Sequence, residues 1–345
     1  MHAERNKAPC ATRWTRRWFL GLGAGVALAA RRKALEAAQT VRKPLRAGMI
    51  GLDTSHVIAF TQAINNPKAT GELADVKIVA GYPGGSPDVP DSWNRVKKFT
   101  EQLRGMGVEI VDSIEALLEK VDCVFLESVD GRPHLAQARP VLAARKPLFI
   151  DKPMAASLAD VLAIFALAKK HNTPCFSSSS LRFTSGFQAA RKGKFGKVLK
   201  CTAWSPMSIE PHHPDLFWYG VHGVEILFTI MGTGCQSVTR VSPTEVLGRW
   251  EGGREGRFVA KKGYGAEVEG TLSKGPAGTY EGYTPLLVEV CRFFKTGRSP
   301  VPEEETVEIF AFMEAADVSK ARKGAEVPLA EVLDRARRQQ PQQPA

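Results

Sequence analysis

Leu45-Arg46-Ala47-Gly48-Met49-Ile50-Gly51-Leu52-Asp53-Thr54-Ser55-His56 decides the fold class. Leu45 to Ile50 suits a buried strand. Val57, Phe60 and Ile64 then recur at helical spacing behind Thr54 or Ser55 as cap, so the segment reads strand, turn, helix. Downstream, Val76 to Tyr82, Val108 to Val111, Cys123 to Leu126 and Pro147 to Ile150 read as strands. Between them lie helical patterns at Trp93, Val96, Phe99 and Leu103, at Ser113 to Leu118, and at His134 to Ala144. Cys123-Val124-Phe125-Leu126 is apolar throughout, as a strand covered on both faces must be. Such alternation predicts a Rossmann-type doubly wound parallel sheet, with ligands at the carboxyl ends of its strands.

Beyond Pro153 the rhythm changes. One long helix, Leu158 to Lys170, precedes strand-like runs at Lys197 to Ser205, Ser237 to Ser242, Thr244 to Trp250 and Arg257 to Lys261. These predict an α/β domain with a largely antiparallel open sheet. The expected boundaries are 1–30 for a leader, 43–153 and 154–330 for two domains, and 334–345 for a disordered Gln/Pro/Arg tail. The late helices, at Leu286 to Lys295 and Glu304 to Arg322, are expected to pack back on the first domain, and the open sheet face to serve a homo-oligomer.

Thr15-Arg16-Arg17-Trp18-Phe19-Leu20, followed by a Gly- and Ala-rich run to Ala30, resembles a twin-arginine export signal with a cleavage candidate at Ala27-Leu28-Ala29. The expectation is a periplasmic protein with no stable membrane anchor after cleavage, since the apolar run is too short to span a bilayer. Arg5, Lys7, Arg13, Arg16 and Arg17 against Glu4 give residues 1–30 a net +4 of the formal +11, so +7 remains, spread thinly. No basic stripe interleaved with aromatics points to nucleic acid. Outside the leader, five widely spaced cysteines without C-x-x-C pairs fit buried thiols, not a disulfide framework or a zinc site.

Three segments carry the chemistry. Asp151-Lys152-Pro153 follows a strand and precedes a Ser157-capped helix, with Gly131-Arg132-Pro133-His134 upstream. Trp218-Tyr219-Gly220-Val221-His222-Gly223-Val224-Glu225 places a histidine and a trailing acid on one helix. Ser177 to Ser180 and Arg182-Phe183 follow a short strand at Pro174 to Phe176. Together these resemble the glucose-fructose oxidoreductase / inositol dehydrogenase / MocA family, with its Glu-Lys-Pro and Asp-x-Gly-x-His-x-x-Asp patterns. The resemblance implies an oxidoreductase using NAD or NADP on a sugar, cyclitol or polyol. It makes Lys152 and His222 catalytic; the family aspartate's position is Trp218 here, and either Asp215, seven residues before His222, or Glu225, three after it, could take its place on that helix face. It places Arg182, Trp218, Tyr219 and Glu225 at the substrate, and Gly51, Leu52, Asp53, Thr54, Ser55, His56, Ser128, His134, Asp151 and Lys152 at the cofactor.

The residues qualify this. Of a G-x-G-x-x-G fingerprint only Gly51 is kept; Asp53 and His56 stand at the other two glycine positions. No acid follows the second strand to hold a ribose 2′-hydroxyl. Trp218 suits a sugar ring or a core equally. His212, His213, Asp215 and His222 cluster in sequence and with His56 and His134 could in principle build a metal site, but adjacent histidines in a Pro-rich loop are ordinarily loop residues, so no metal is expected. Two rival readings keep the fold: NAD-dependent glycoside cleavage, and a non-catalytic sugar-binding protein without a dinucleotide.

Overall fold

A computed structural model describes residues 43–339; the leader and its proposed signal lie outside them. Residues from Pro44 onward form one compact unit holding two sheets. Strands β1 (Leu45–Ile50), β2 (Val76–Tyr82), β3 (Glu109–Ile110), β4 (Cys123–Leu126), β5 (Leu148–Ile150) and β6 (Cys175–Ser177) make the first, in the order β3-β2-β1-β4-β5-β6. Every pairing in it is parallel. The order reverses between β1 and β4, which opens a crevice at their carboxyl ends.

Local chemistry sets the helix starts. Thr54 caps α1 (Ser55–Ile64) by accepting from His56 N at 3.4 Å. Helices α2 (Pro90–Gly105), α3 (Ile114–Leu118), α4 (His134–Ala143) and α5 (Leu158–His171) follow, and Ser113 and Ser157 cap α3 and α5. Helix α6 spans Ser185–Arg191. Because β6 follows α5, the first sheet runs past residue 153, where sequence rhythm alone would end it.

The second sheet has the order β12-β11-β7-β10-β9-β8-β13. Its strands are β7 (Val198–Ser205), β8 (Cys235–Ser242), β9 (Glu245–Trp250), β10 (Arg254–Ala260), β11 (Gly265–Gly270), β12 (Lys274–Pro276) and β13 (Val327–Pro328). It is mixed and mostly antiparallel, β7 with β10 being the parallel pair. Helices α7 (Val221–Met231) and α9 (Glu303–Ala321) pack on it, sealed by Phe228, Trp250 and Phe312 with ring centroids 5.2 to 6.2 Å apart.

Of the two late helices, α8 (Thr284–Thr296) returns to the first sheet as expected, whereas α9 packs mainly on the second. Phe294 meets Phe125 at 5.0 Å and Phe293 meets Phe176 at 4.8 Å. The tail departs from expectation: Leu329–Gln339 is helix α10, which buries Leu329, Val332 and Ala336. An apolar stripe at spacings of three and four overrides the polar composition there. All five cysteines among the described residues are free and buried. No described helix is long and apolar enough to cross a membrane.

Candidate active site

The carboxyl ends of β1, β4, β5 and β6 deliver the site. After β1 the chain turns at Gly51, whose φ of +84° is left-handed and where an added Cβ would sit 2.3 Å from Ser128 N. Gly51→Ala should therefore both strain the backbone and drive β1 from the β4 loop, costing about 2 kcal/mol or more. Urea unfolding of the variant checks this.

Asp53, at the second glycine position, turns inward. It is wholly buried and accepts from Ser92 Oγ at 2.6 Å and from Val129 N at 3.0 Å. Its carboxylate stitches the turn to α2 and to the β4 loop, so it lies beneath the path of a diphosphate, not in it. Ser55, by contrast, is exposed at the start of α1, where the helix dipole and backbone N–H groups favour anions.

At the third glycine position, His56 reaches across to β5. Its Nδ1 lies 2.6 Å from Asp151 Oδ2, and its ring packs on Phe60 and Tyr283. Burial pushes the Asp151 carboxyl up, but His56 and Lys152 beside it outweigh that and hold it at about 2. The next peptide bond, Lys152–Pro153, is cis.

Lys152 and His222 come together although 70 residues separate them in the chain. Lys152 Nζ stands 5.8 Å from the Tyr219 ring centre, and Tyr219 meets the His222 ring edge-on at 5.5 Å. His222 is 9% exposed; its Nδ1 pairs with Ser179 Oγ at 2.8 Å, and Tyr264 covers another side at 5.7 Å. Burial, then the positive charge of Lys152, then His56, depress its pKa well below the usual histidine value. His222 is accordingly a neutral imidazole at neutral pH, able to accept a proton.

Two expected residues, Asp215 and Trp218, lie elsewhere. Asp215 does not return to the His222 face: its carboxylate accepts from Lys320 Nζ at 2.7 Å and Arg240 Nη2 at 3.2 Å. Residues Leu216–Gly220 form a π-helical turn ahead of α7, which breaks the four-residue phasing that would align Trp218 or Asp215 with His222. Trp218 packs on His213 instead, at 4.9 Å. His213 and His212 are taken up by Glu210, and His213 also by Asp130.

Arg182 and Glu225 are buried against each other, with Arg182 Nη1 also donating to Glu305 at 2.8 Å. These bonds are made inside the protein, although Arg182 Nη2 is buried with no partner. His134 is likewise wholly buried, its ring nitrogens at 2.8 Å from Ser128 O and 3.1 Å from Met154 O. It holds the β4 and β5 loops in place from beneath. Ser128 Oγ donates to Gln137. Tyr264, Tyr280 and Tyr283, which form a chain of rings about 6 Å apart beside His222 and His56, come from irregular segments with no motif to mark them. Glu127, buried at the end of β4, also escapes the sequence reading.

Against known proteins, residues 45–178 match the family model described as Oxidoreductase family, NAD-binding Rossmann fold (GFO_IDH_MocA). The first sheet is that fold. No curated protein matches the chain. Among solved structures, an oxidoreductase from Thermotoga maritima is 18% identical with a TM-score of 0.65, covering 84% of this chain and 100% of that one. The scyllo-inositol dehydrogenase from Lactobacillus casei with bound NAD(H) and scyllo-inositol is 16% identical, TM-score 0.64, over 84% and 100%. An oxidoreductase from Agrobacterium radiobacter in complex with NAD+, L-tartaric acid and magnesium is 17% identical, TM-score 0.64, over 84% and 99%. These likenesses span both sheets and establish the two-sheet fold.

The chain thus carries the NAD-binding half of an oxidoreductase, and its residues fit the dinucleotide. The Gly51 cradle admits no Cβ, Asp53 is turned out of the way, and Ser55 faces solvent at the start of α1. Thr54 and Ser55 would hold the diphosphate, and Lys152 would stand at the reactive end.

Proposed function

We propose that the protein oxidises a hydroxyl-bearing carbon of a sugar, cyclitol or related polyol, or reduces the matching carbonyl. The observation that carries this reading is the placement of Lys152 and His222 both beside Tyr219, at the carboxyl end of a Rossmann sheet. The bound nicotinamide supplies a two-electron hydride acceptor or donor. Everything else falls to the chain's own side chains. Lys152 steadies negative charge on the substrate oxygen. His222, with Nδ1 paired to Ser179 Oγ, offers its other ring nitrogen to the hydroxyl proton as the carbon–hydrogen bond breaks. The hydroxyls of Tyr219, Tyr264 and Tyr280 suit a ligand with many hydroxyl groups. A neighbour solved with scyllo-inositol supports that substrate class.

The test is turnover of a panel of cyclitols and sugars with NAD+ and NADP+, followed by reduced nicotinamide absorbance. We expect at least one polyol to reduce the cofactor, and Lys152→Met to lower kcat about 100-fold with the fold intact. Binding of polyols with no reduction of either cofactor would contradict the proposal. From its first residues we further propose export by the twin-arginine route. N-terminal sequencing of protein recovered from the periplasm should begin just past Ala29.

A further inference from the structure

Two departures in the sequence, His56 at a glycine position and Glu127 at the end of β4, meet in space. A carboxylate oxygen of Glu127, the imidazole of His56 and a carboxylate oxygen of Asp151 all lie within 4.8 Å of one another. Glu127 is 0% exposed, yet neither of its oxygens has a hydrogen-bond partner. A buried carboxylate with both oxygens idle is among the costliest arrangements a protein interior can hold, unless something cationic completes it. Lys152 is close enough to act on Glu127 electrostatically but makes no hydrogen bond to it. The rest of the surroundings add no donor.

We propose that His56, Glu127 and Asp151 are the ligands of one divalent transition-metal ion, of the zinc or manganese class, seated where β1, β4 and β5 end. Two carboxylates match the charge of a divalent cation. One imidazole nitrogen with two oxygens suits zinc, manganese or cobalt better than calcium or magnesium, which take oxygens, or copper(I), which takes sulfur. Donors held at about 2.1 Å by a common ion stand roughly 3.0–3.5 Å apart. The His56–Asp151 contact of 2.6 Å therefore opens by about 0.4–0.9 Å, and the unpartnered Glu127 swings in to close the third side. The ion would tie the opening turn to the Lys152 loop, and three protein ligands leave a coordination position open. This site stands independently of the substrate reading, because none of its three ligands handles the substrate's proton or oxygen in that reading.

The test uses the full chain, stripped with a chelator and titrated with Co2+ while visible absorption is followed. One Co2+ per chain should bind with ligand-field bands, and Zn2+ should displace it. Glu127→Gln and His56→Asn should each weaken Co2+ binding by about 100-fold or more, whereas His212→Asn, on an exposed loop histidine, should leave the bands unchanged. Because the Glu127 side chain makes no hydrogen bond, metal-free Glu127→Gln should melt no lower than the metal-free wild type; His56→Asn serves as the second variant should it misfold. Absence of Co2+ bands in the wild type, or bands unaltered by both Glu127→Gln and His56→Asn, would overturn the assignment and leave Glu127 a protonated acid instead.

Discussion

His222→Ala should lower kcat for polyol oxidation by about 10²–10⁴-fold, the usual contribution of a positioned general base, with little change in cofactor affinity. The imidazole is held by Ser179 on one side and ringed by Tyr219 and Tyr264, so alanine removes the proton acceptor without opening a buried charge. Near-ultraviolet circular dichroism should confirm an intact core. The same geometry gives the pH dependence its sign. Burial, Lys152 and His56 all disfavour the imidazolium, so the wild-type acid limb of kcat/KM should fall below the ordinary histidine range. Removing one of those charges in Lys152→Met should move the limb of the residual activity up toward that range. An acid limb that stays put in Lys152→Met would separate His222 from the titrating group.

Arg182→Met should destabilise the protein by about 3–5 kcal/mol, read from urea unfolding. Arg182 is 2% exposed and lies between Glu225 and Glu305, while Arg191 holds Glu305 from outside with two contacts of 2.8 Å. Methionine keeps most of the volume but strands two buried carboxylates, Glu225 more than Glu305, because Arg191 remains for the latter. Adding Glu225→Gln to Arg182→Met should therefore recover part of the loss, a coupling that a cavity alone would not produce. The network also anchors the turn that presents Ser179 to His222, so Arg182→Met should lower kcat as well.

The parallel sheet was legible because β4 and β5 are apolar throughout, β1 and β2 carry one charged residue each, and helices α1, α3 and α5 open on the cap residues Thr54, Ser113 and Ser157. Lys152 and His222 could be picked out because they sit in recognisable local patterns. What escaped depends on contacts between distant segments. Asp53 looked like a charge in a phosphate's path until Ser92, 39 residues on, was seen to turn it inward. Asp215, seven residues before His222, would return to its face in a regular α-helix, but a π turn breaks that phasing and its carboxylate pairs with Arg240 and Lys320. Arg182 looked like a substrate group because its buried partners, Glu225 and Glu305, lie 43 and 123 residues away. The tyrosines near His222 carry no periodicity at all, and only the fold assembles them.

The most direct test of the account is calorimetric titration of the purified full chain with NAD+ and NADH, with NADP+ and NADPH in parallel. One nicotinamide dinucleotide should bind per chain, and Ser55→Glu, which sets a negative charge at the start of α1, should weaken that binding at least about tenfold. Heat-silent titrations with all four dinucleotides, for a protein that unfolds cooperatively and is therefore intact, would contradict it.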